Sequence, residues 1–561
     1  MKKFSISVVL MLVFIVGASA QESSSLEEAL KNAKDLFREV STKNYTYRQT
    51  LKWNQEFPYK LTYIQDRQGK KGTESILFEF SLRDIDLNTI KVEDQKDMMV
   101  VNFFIENRQK LIKVFQGDEQ QKYINELELV ALDADNGRAL ESFLKEAIPL
   151  AREIKSVCAP ATFEERLTWL QDNISTFTVN ETTFDQHFKT EGKGSSMIEY
   201  SLVERGKKTM EEHWKINLTD LDERKVSLEI KDTEVFVEVE TKGNLKYIYY
   251  EKDGAQGNYT NSVKFMVNDF EKAKCMMSVL EEAIKASAPI DKAKYPEITS
   301  LDQALGLLTD HLKDIHSGED KTSQTLQASC NTEFTVIEQK SKGDPSEEKS
   351  KFNLIDIEPK SIEIKVKGKE ISVAFDTGKD KLVQPFKNGE LQNYTNDVTF
   401  LATNTENAKM LAYILPEAVK LCGDQKGFEP AEKAKDNLEW ITGKLSDKVE
   451  SNLEQSIKMI EETDCKWQFT TIEQGKKEDT REVYEFNLID LDEEAVRFKI
   501  SGKTLSVEIP SKRGAKNIKY YKNGEPGDYQ NSFLIRMQNV EDARNLIRIF
   551  QTSIKACKAG Q

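Results

Sequence analysis

Phe352-Asn353-Leu354-Ile355-Asp356-Ile357-Glu358 reads as the end of a strand running into an acidic turn. The same pattern occurs as Phe80-Ser81-Leu82-Arg83-Asp84-Ile85-Asp86, Ile216-Asn217-Leu218-Thr219-Asp220-Leu221-Asp222 and Phe486-Asn487-Leu488-Ile489-Asp490-Leu491-Asp492. In chain order the steps are 136, 136 and 134 residues. A second anchor, Tyr-x-Asn, keeps the same period: Tyr123/Asn125, Tyr259/Asn261, Tyr394/Asn396 and Tyr529/Asn531, at steps of 136, 135 and 135. Two independent anchors on one period mark an internal repeat, and the period far exceeds the roughly 20–50 residues of a solenoid rung. Each copy is long enough to bury its own core, so the expectation is beads on a string with contacts between neighbours. The boundaries expected are 1–20 for an export signal and 21–158, 159–291, 292–425 and 426–561 for the four copies.

Working outward from the acidic turn, each copy opens on a helix. Ser25-Leu26-Glu27-Glu28, Thr162-Phe163-Glu164-Glu165 and Ser300-Leu301-Asp302-Gln303 have the form of capping boxes, in which a hydroxyl and a carboxylate or amide satisfy free N–H groups. Copy four lacks the box and keeps Leu438, Ile441, Leu445 and Val449 at helical spacing. Alternating strands follow, such as Phe334-Thr335-Val336-Ile337-Glu338-Gln339 and Phe469-Thr470-Thr471-Ile472-Glu473-Gln474. Asn388-Gly389, Asn523-Gly524, Asp253-Gly254 and Gln116-Gly117 mark a tight hairpin, because Asn-Gly and Asp-Gly tolerate positive φ. A closing amphipathic helix carries Ala543, Leu546, Ile547, Phe550 and Ile554.

Helix, about six to seven antiparallel strands and helix make an α+β module. The order resembles pleckstrin-homology-like modules, a curved antiparallel sheet closed by a C-terminal helix. A flatter antiparallel sheet with both helices on one face is the alternative. In modules of that kind that bind lipid headgroups, the first hairpin loop supplies phosphate-binding lysines. The resemblance therefore implies a headgroup or anionic-glycan site at Lys70, Lys71, Lys207, Lys208, Lys340, Lys342, Lys476 and Lys477. Acidic neighbours and an acidic chain favour solvated hairpin tips instead.

The chain has 561 residues, 80 basic and 95 acidic, for a net charge of −15. That balance argues against nucleic acid, which needs a dense basic surface to displace phosphate counterions. Lys2 and Lys3, the apolar run Val8–Val16 and Ala18-Ser19-Ala20 read as an export signal cleaved after Ala20. No later run is long enough to span a bilayer, so the protein is expected in the periplasm or at the cell surface, and not as a transmembrane protein.

Such a compartment permits disulfides. Cys330 precedes the first shared strand of copy three and Cys422 ends its closing helix. Cys465 and Cys557 do the same in copy four, and both pairs are 92 residues apart. Copies one and two hold Phe57/Ala151 and Ser196/Ser287 there. Presence or absence together is what a strand-to-helix bond produces, so both pairs are expected to be bonded. Cys158 and Cys275 are left either to bridge copies one and two or to stay free.

Familiar chemistry is missing. His187, His213, His311 and His316 occupy no equivalent positions, and no phosphate loop, nucleophile elbow or zinc signature stands in context. No catalytic residue, metal ligand or cofactor is assigned. The acidic pairs Asp84/Asp86, Asp220/Asp222, Asp356/Glu358 and Asp490/Asp492 are expected to cap their own turns rather than hold Ca²⁺. Tyr-x-Asn is expected to be a core tyrosine and a turn asparagine. The function that fits is a non-catalytic, multivalent binding or scaffolding protein whose partner is a protein, a glycan or a lipid headgroup. The alternatives are a carrier of an apolar ligand held between sheet and helix, and an enzyme with one divergent copy.

Overall fold

The acidic turn is where the chain changes sheets. In the computed structural model, which describes residues 26–95, 97–154, 158, 160–192, 194–446, 451–460, 464–475 and 478–559, each strand entering the turn stops at a capped 3₁₀ turn. Ser81, Asn217, Asn353 and Asn487 accept a backbone N–H two residues on. The cap satisfies a donor that the ladder no longer can, and the chain leaves the first sheet there. The export signal, Ser25, Val449, Lys476 and Lys477 lie outside the described residues.

The chain is mixed α+β with antiparallel sheets throughout. In copy one a six-stranded sheet contains Val40–Ser41, Thr46–Trp53, Lys60–Gly69, Gly72–Ser81, Lys113–Gln116 and Glu119–Gln120, in that spatial order. A three-stranded sheet contains Lys91–Gln95, Met98–Phe104 and Glu126–Ala131. The same strand order recurs along the chain, with five strands in the first sheet of copy four among the described residues. One curved sheet of six or seven strands is therefore corrected to two sheets. The sequence signal falls short because the turn is only three residues long, and in copies one to three two strands are only two or three residues long.

Each closing helix (Ala134–Glu153, Phe270–Lys292, Thr405–Gly423, Val540–Ala559) packs on the acidic turn and on the three-stranded sheet. The opening helices 26–33, Phe163–Asn173, Leu301–His311 and Ala434–Ser446 precede the strands. Thr162 and Glu165 form the full capping box, whereas Gln303 accepts from Thr299 N–H and completes only half of one. Asp253-Gly254, Asn388-Gly389 and Asn523-Gly524 take the positive φ their hairpins require. At Gln116-Gly117 only the glycine does.

The described chain forms two compact units, Met1–Lys294 and Tyr295–Gln561. Within each, two copies share apolar core. In the first unit Tyr123 of copy one is buried among copy-two residues, and Leu228, Ile230 and Phe270 of copy two pack on the core of copy one. In the second unit Leu382 and Tyr394 of copy three belong to the core of copy four.

Three disulfides join Cys158 to Cys275, Cys330 to Cys422 and Cys465 to Cys557, with Cα atoms 5.1, 5.6 and 5.8 Å apart. The first ties the closing helix of copy two to residue 158. The other two each tie a strand entrance to a closing helix across 92 residues. Replacing Cys465 and Cys557 together by Ala is expected to destabilise the second unit by about 3–5 kcal/mol, as loop-closure entropy predicts for so long a loop. The denaturation midpoint measures it, and an unchanged midpoint would contradict the bond.

Candidate functional site

Two sheets that diverge from one turn leave a cleft between them, and its chemistry differs from copy to copy. In copy two, Trp214 faces Tyr250 across the ladder with ring centroids 5.5 Å apart, and Tyr200 stacks on Trp214 at 5.1 Å. In copy four, Tyr484 faces Tyr520 at 5.2 Å. Phe78/Val114 and Ser350/Pro385 hold the same ladder positions in copies one and three. The aromatic pair is a property of copies two and four alone.

A glutamate precedes each aromatic pair by two residues, so strand alternation puts it on the same face. Tyr250 Oη donates to Glu212 at 2.5 Å. Glu482 accepts from both phenols of copy four, at 2.7 Å from Tyr520 and 3.1 Å from Tyr484. Burial, reinforced by the carboxylate each phenol faces, holds Tyr250 and Tyr484 well above the usual phenol range and pushes Tyr520 up to about 12. These hydroxyls therefore remain protonated donors at any physiological pH.

The cleft of copy two has a volume of about 400 Å³ and is lined by Trp214, Tyr250, Glu212, Met210, Met266 and Lys264. That of copy four measures about 530 Å³ and is lined by Tyr484, Glu482, Phe533, Lys499, Lys522 and Arg536. Both fall in the range of roughly 300–1,000 Å³ typical of small-ligand sites. Each is lined from both sheets and combines aromatic faces, carboxylates and ammonium or guanidinium groups.

A second polar constellation lies at the copy-one to copy-two junction. Lys60, Asp84, Lys113, Asp269 and Glu271 surround a cavity of about 20 Å³, space for about one water. Lys274 Nζ donates to both oxygens of Asp84, at 2.7 and 2.8 Å, and to Glu271 at 2.8 Å. Lys60 donates to Asp269, and Lys113 donates to the Asn268 carbonyl at 3.2 Å. Burial keeps the Asp84 carboxyl above its usual range despite Lys274, and burial lowers Lys113. Burial would raise Asp269 too, but Lys60 and the amides of the helix start hold it below its usual range. In the second unit Asn331, Gln384 and Asn539 replace Lys60, Lys113 and Asp269 around a cavity of about 490 Å³. The ion pair persists there, with Arg544 donating to Asp356 at 2.6 Å.

Of the residues singled out from sequence, Lys70, Lys71, Lys207, Lys208, Lys340 and Lys342 are exposed at hairpin tips, and none lines these cavities. The acidic pairs divide their labour. Asp86, Asp222 and Asp492 accept a backbone N–H two residues on, as turn caps do. Asp84 and Asp356 instead reach the closing helix of the next copy. The asparagines of Tyr-x-Asn close a loop through their carbonyls, which accept from Ile105, Thr241, Thr377 and Ser511 N–H at 2.8–2.9 Å. Among the described residues no cluster of His, Cys, Asp and Glu is arranged to hold a metal, and no helix is long and apolar enough to cross a membrane. Comparison with protein-family models, with curated proteins and with solved structures returned no match.

The aromatic pairs escaped the sequence reading because 36 residues separate Trp214 from Tyr250 and only the ladder joins them. The Glu482 contacts give a pH prediction. A phenol whose folded pKa is raised stabilises the fold fully below its unfolded value near 10, and that contribution is lost as pH rises through the folded pKa. Glu482→Gln removes the charge, so the ionisation of Tyr484 and Tyr520, followed by absorbance near the phenolate band, is expected to begin at lower pH. A titration curve superimposable on that of the unmodified chain would contradict the assignment.

Proposed function

We propose that the chain is an exported, non-catalytic, multivalent binding or scaffolding protein of the periplasm or cell surface, and that the intersheet clefts of copies two and four are its binding sites for a glycan. The observation that carries this is the recurrence, in two copies only, of a cross-strand aromatic pair with a carboxylate beside it. Aromatic faces cover the apolar faces of sugar rings. The glutamates and flanking lysines supply acceptors and donors for hydroxyl groups at the cleft wall. Two such clefts on one chain raise avidity without either being strong alone.

Four modules with the boundaries given above remain the unit of this proposal, with the pleckstrin-homology-like likeness reduced to antiparallel strands closed by a C-terminal helix. Export is supported by three disulfides, which persist in oxidising compartments. The signal at residues 1–20 and its cleavage after Ala20 belong to the same proposal, and no cofactor enters it. The hairpin-tip lysines are assigned to solvation. A carrier function fits less well, because the clefts are open, mixed in polarity and placed between sheets rather than under a helix.

An enzymatic function is the second reading, favoured by the convergence of Lys60, Lys113, Asp84 and Asp269 at one junction and not the other. Its cavity of about 20 Å³ leaves no room for a substrate.

The test is a glycan array with the intact chain, followed by calorimetry with the strongest glycan. Two sites per chain are expected. Tyr250→Ala with Tyr484→Ala should weaken binding by about tenfold or more, the worth of one good aromatic contact at about 1.4 kcal/mol. Glycan binding unaffected by this double variant, or no glycan bound at all, would overturn the proposal.

A further inference from the structure

The two junctions described above are built from the same parts, and each has two sides. The exit side is the acidic turn and the tyrosine of Tyr-x-Asn. Asp84 and Tyr123 serve in copy one, and Asp356 and Tyr394 in copy three. The entry side is the first turns of the next closing helix. There Lys274 and Arg544 take the carboxylates, and Phe270 meets the Tyr123 ring edge-on at 5.0 Å. A strand of the first sheet adds a third contact, as Lys113 and Gln384 donate to the Asn268 and Gln538 carbonyls. Backbone bonds from Tyr123 to Asp232 and from Tyr394 to Gly502 complete each seam.

An exit side and an entry side of this kind are both uncovered elsewhere in the chain. On copy four, Tyr529 is 49% exposed where Tyr123 and Tyr394 are each 4% exposed. Asp490, the counterpart of Asp84 and Asp356, has no ion-pair partner among the described residues, and Lys519 is exposed where Lys113 and Gln384 stand. On copy one, Arg138 holds the position of Lys274 and Arg544, five residues after the helix cap. It is 67% exposed, and among the described residues its ion pair is with Asp135 in its own first turn. Leu132, whose carbonyl corresponds to those of Asn268 and Gln538, is 45% exposed. Both surfaces thus carry an exposed apolar side chain beside a charge, and the charges are opposite.

We infer that copy four of one molecule docks on copy one of a second molecule of the same chain, head to tail, with Asp490 on Arg138 and Tyr529 against Leu132 and Ala134. What argues for a second copy as the occupant is the continuity of this pairing with the two seams the chain already forms, together with charge complementarity. A contact of this type is heterologous, so it propagates into rings or filaments rather than stopping at a two-fold dimer. The tether that holds neighbouring copies at high effective concentration is missing between molecules, so association is weak and concentration-dependent.

Sedimentation velocity of the intact chain, from low micromolar to near-millimolar loading, tests this. The weight-average mass is expected to rise with concentration. Asp490→Arg and Arg138→Asp, each alone, should hold the chain at the monomer mass, and an equimolar mixture of the two variants should associate again because it restores an opposite-charge seam. Both residues lie at the surface, and unchanged thermal melts of each variant will show that the fold is kept. A native chain that stays monomeric throughout, or association that survives in both single variants, or a mixture that fails to associate, would overturn the inference.

Discussion

Everything in the pairing of copies depends on a cation at the start of a closing helix and the carboxylate it meets from the copy before. Lys274 lies between Asp84 and Glu271, and Arg544 lies between Asp356 and Glu541. Taking these charges out of water is costly, and their attraction repays it only with good geometry and full hydrogen bonding. Both conditions hold: the Arg544 guanidinium reaches both Asp356 oxygens, and Lys274 spends its donors on three carboxylate oxygens. A buried pair of this sort adds little net stability, but removing one partner costs about 3–5 kcal/mol. Its physical role is therefore to make one arrangement of the two copies far better than any other.

That constraint explains why a single copy is a poor description of the folding unit. Tyr123 and Tyr394 belong by sequence to copies one and three, yet they fill the cores of copies two and four. The same division appears in the clefts. Copies one and three have Phe78/Val114 and Ser350/Pro385 where copies two and four have Trp214/Tyr250 and Tyr484/Tyr520. The aromatic clefts and the packing thus share a two-copy period laid over the sequence repeat.

Much of this was legible in the sequence, and the rest fails for identifiable reasons. The period, the helix ends, the Asn-Gly hairpins and the Cys330/Cys422 and Cys465/Cys557 spacings are local or repeat-borne signals. The second sheet is hidden because a three-residue turn such as Leu82–Asp84 redirects the chain without a break in strand-like composition. Asp84 and Asp86 are chemically alike and two residues apart, yet one crosses to another copy and the other caps Asn88 N–H. Only three-dimensional placement separates them. One signal was open to reading, an acid three residues before a base at Asp135/Arg138, Glu271/Lys274, Glu406/Lys409 and Glu541/Arg544, with the bases at steps of 136, 135 and 135. It is a third anchor of the repeat and marks the entry side of the seam.

This ion pair locks the two copies of each compact unit into one cooperative body. Native-state hydrogen exchange on the intact chain and on Lys274→Ala tests it most directly. Amides around the copy-one turn (Leu82–Ile85) and those of the copy-two helix (Ala273–Ile284) are expected to lose protection together and by the same factor. Protection lost only near residue 274, with the copy-one amides unchanged, would contradict it.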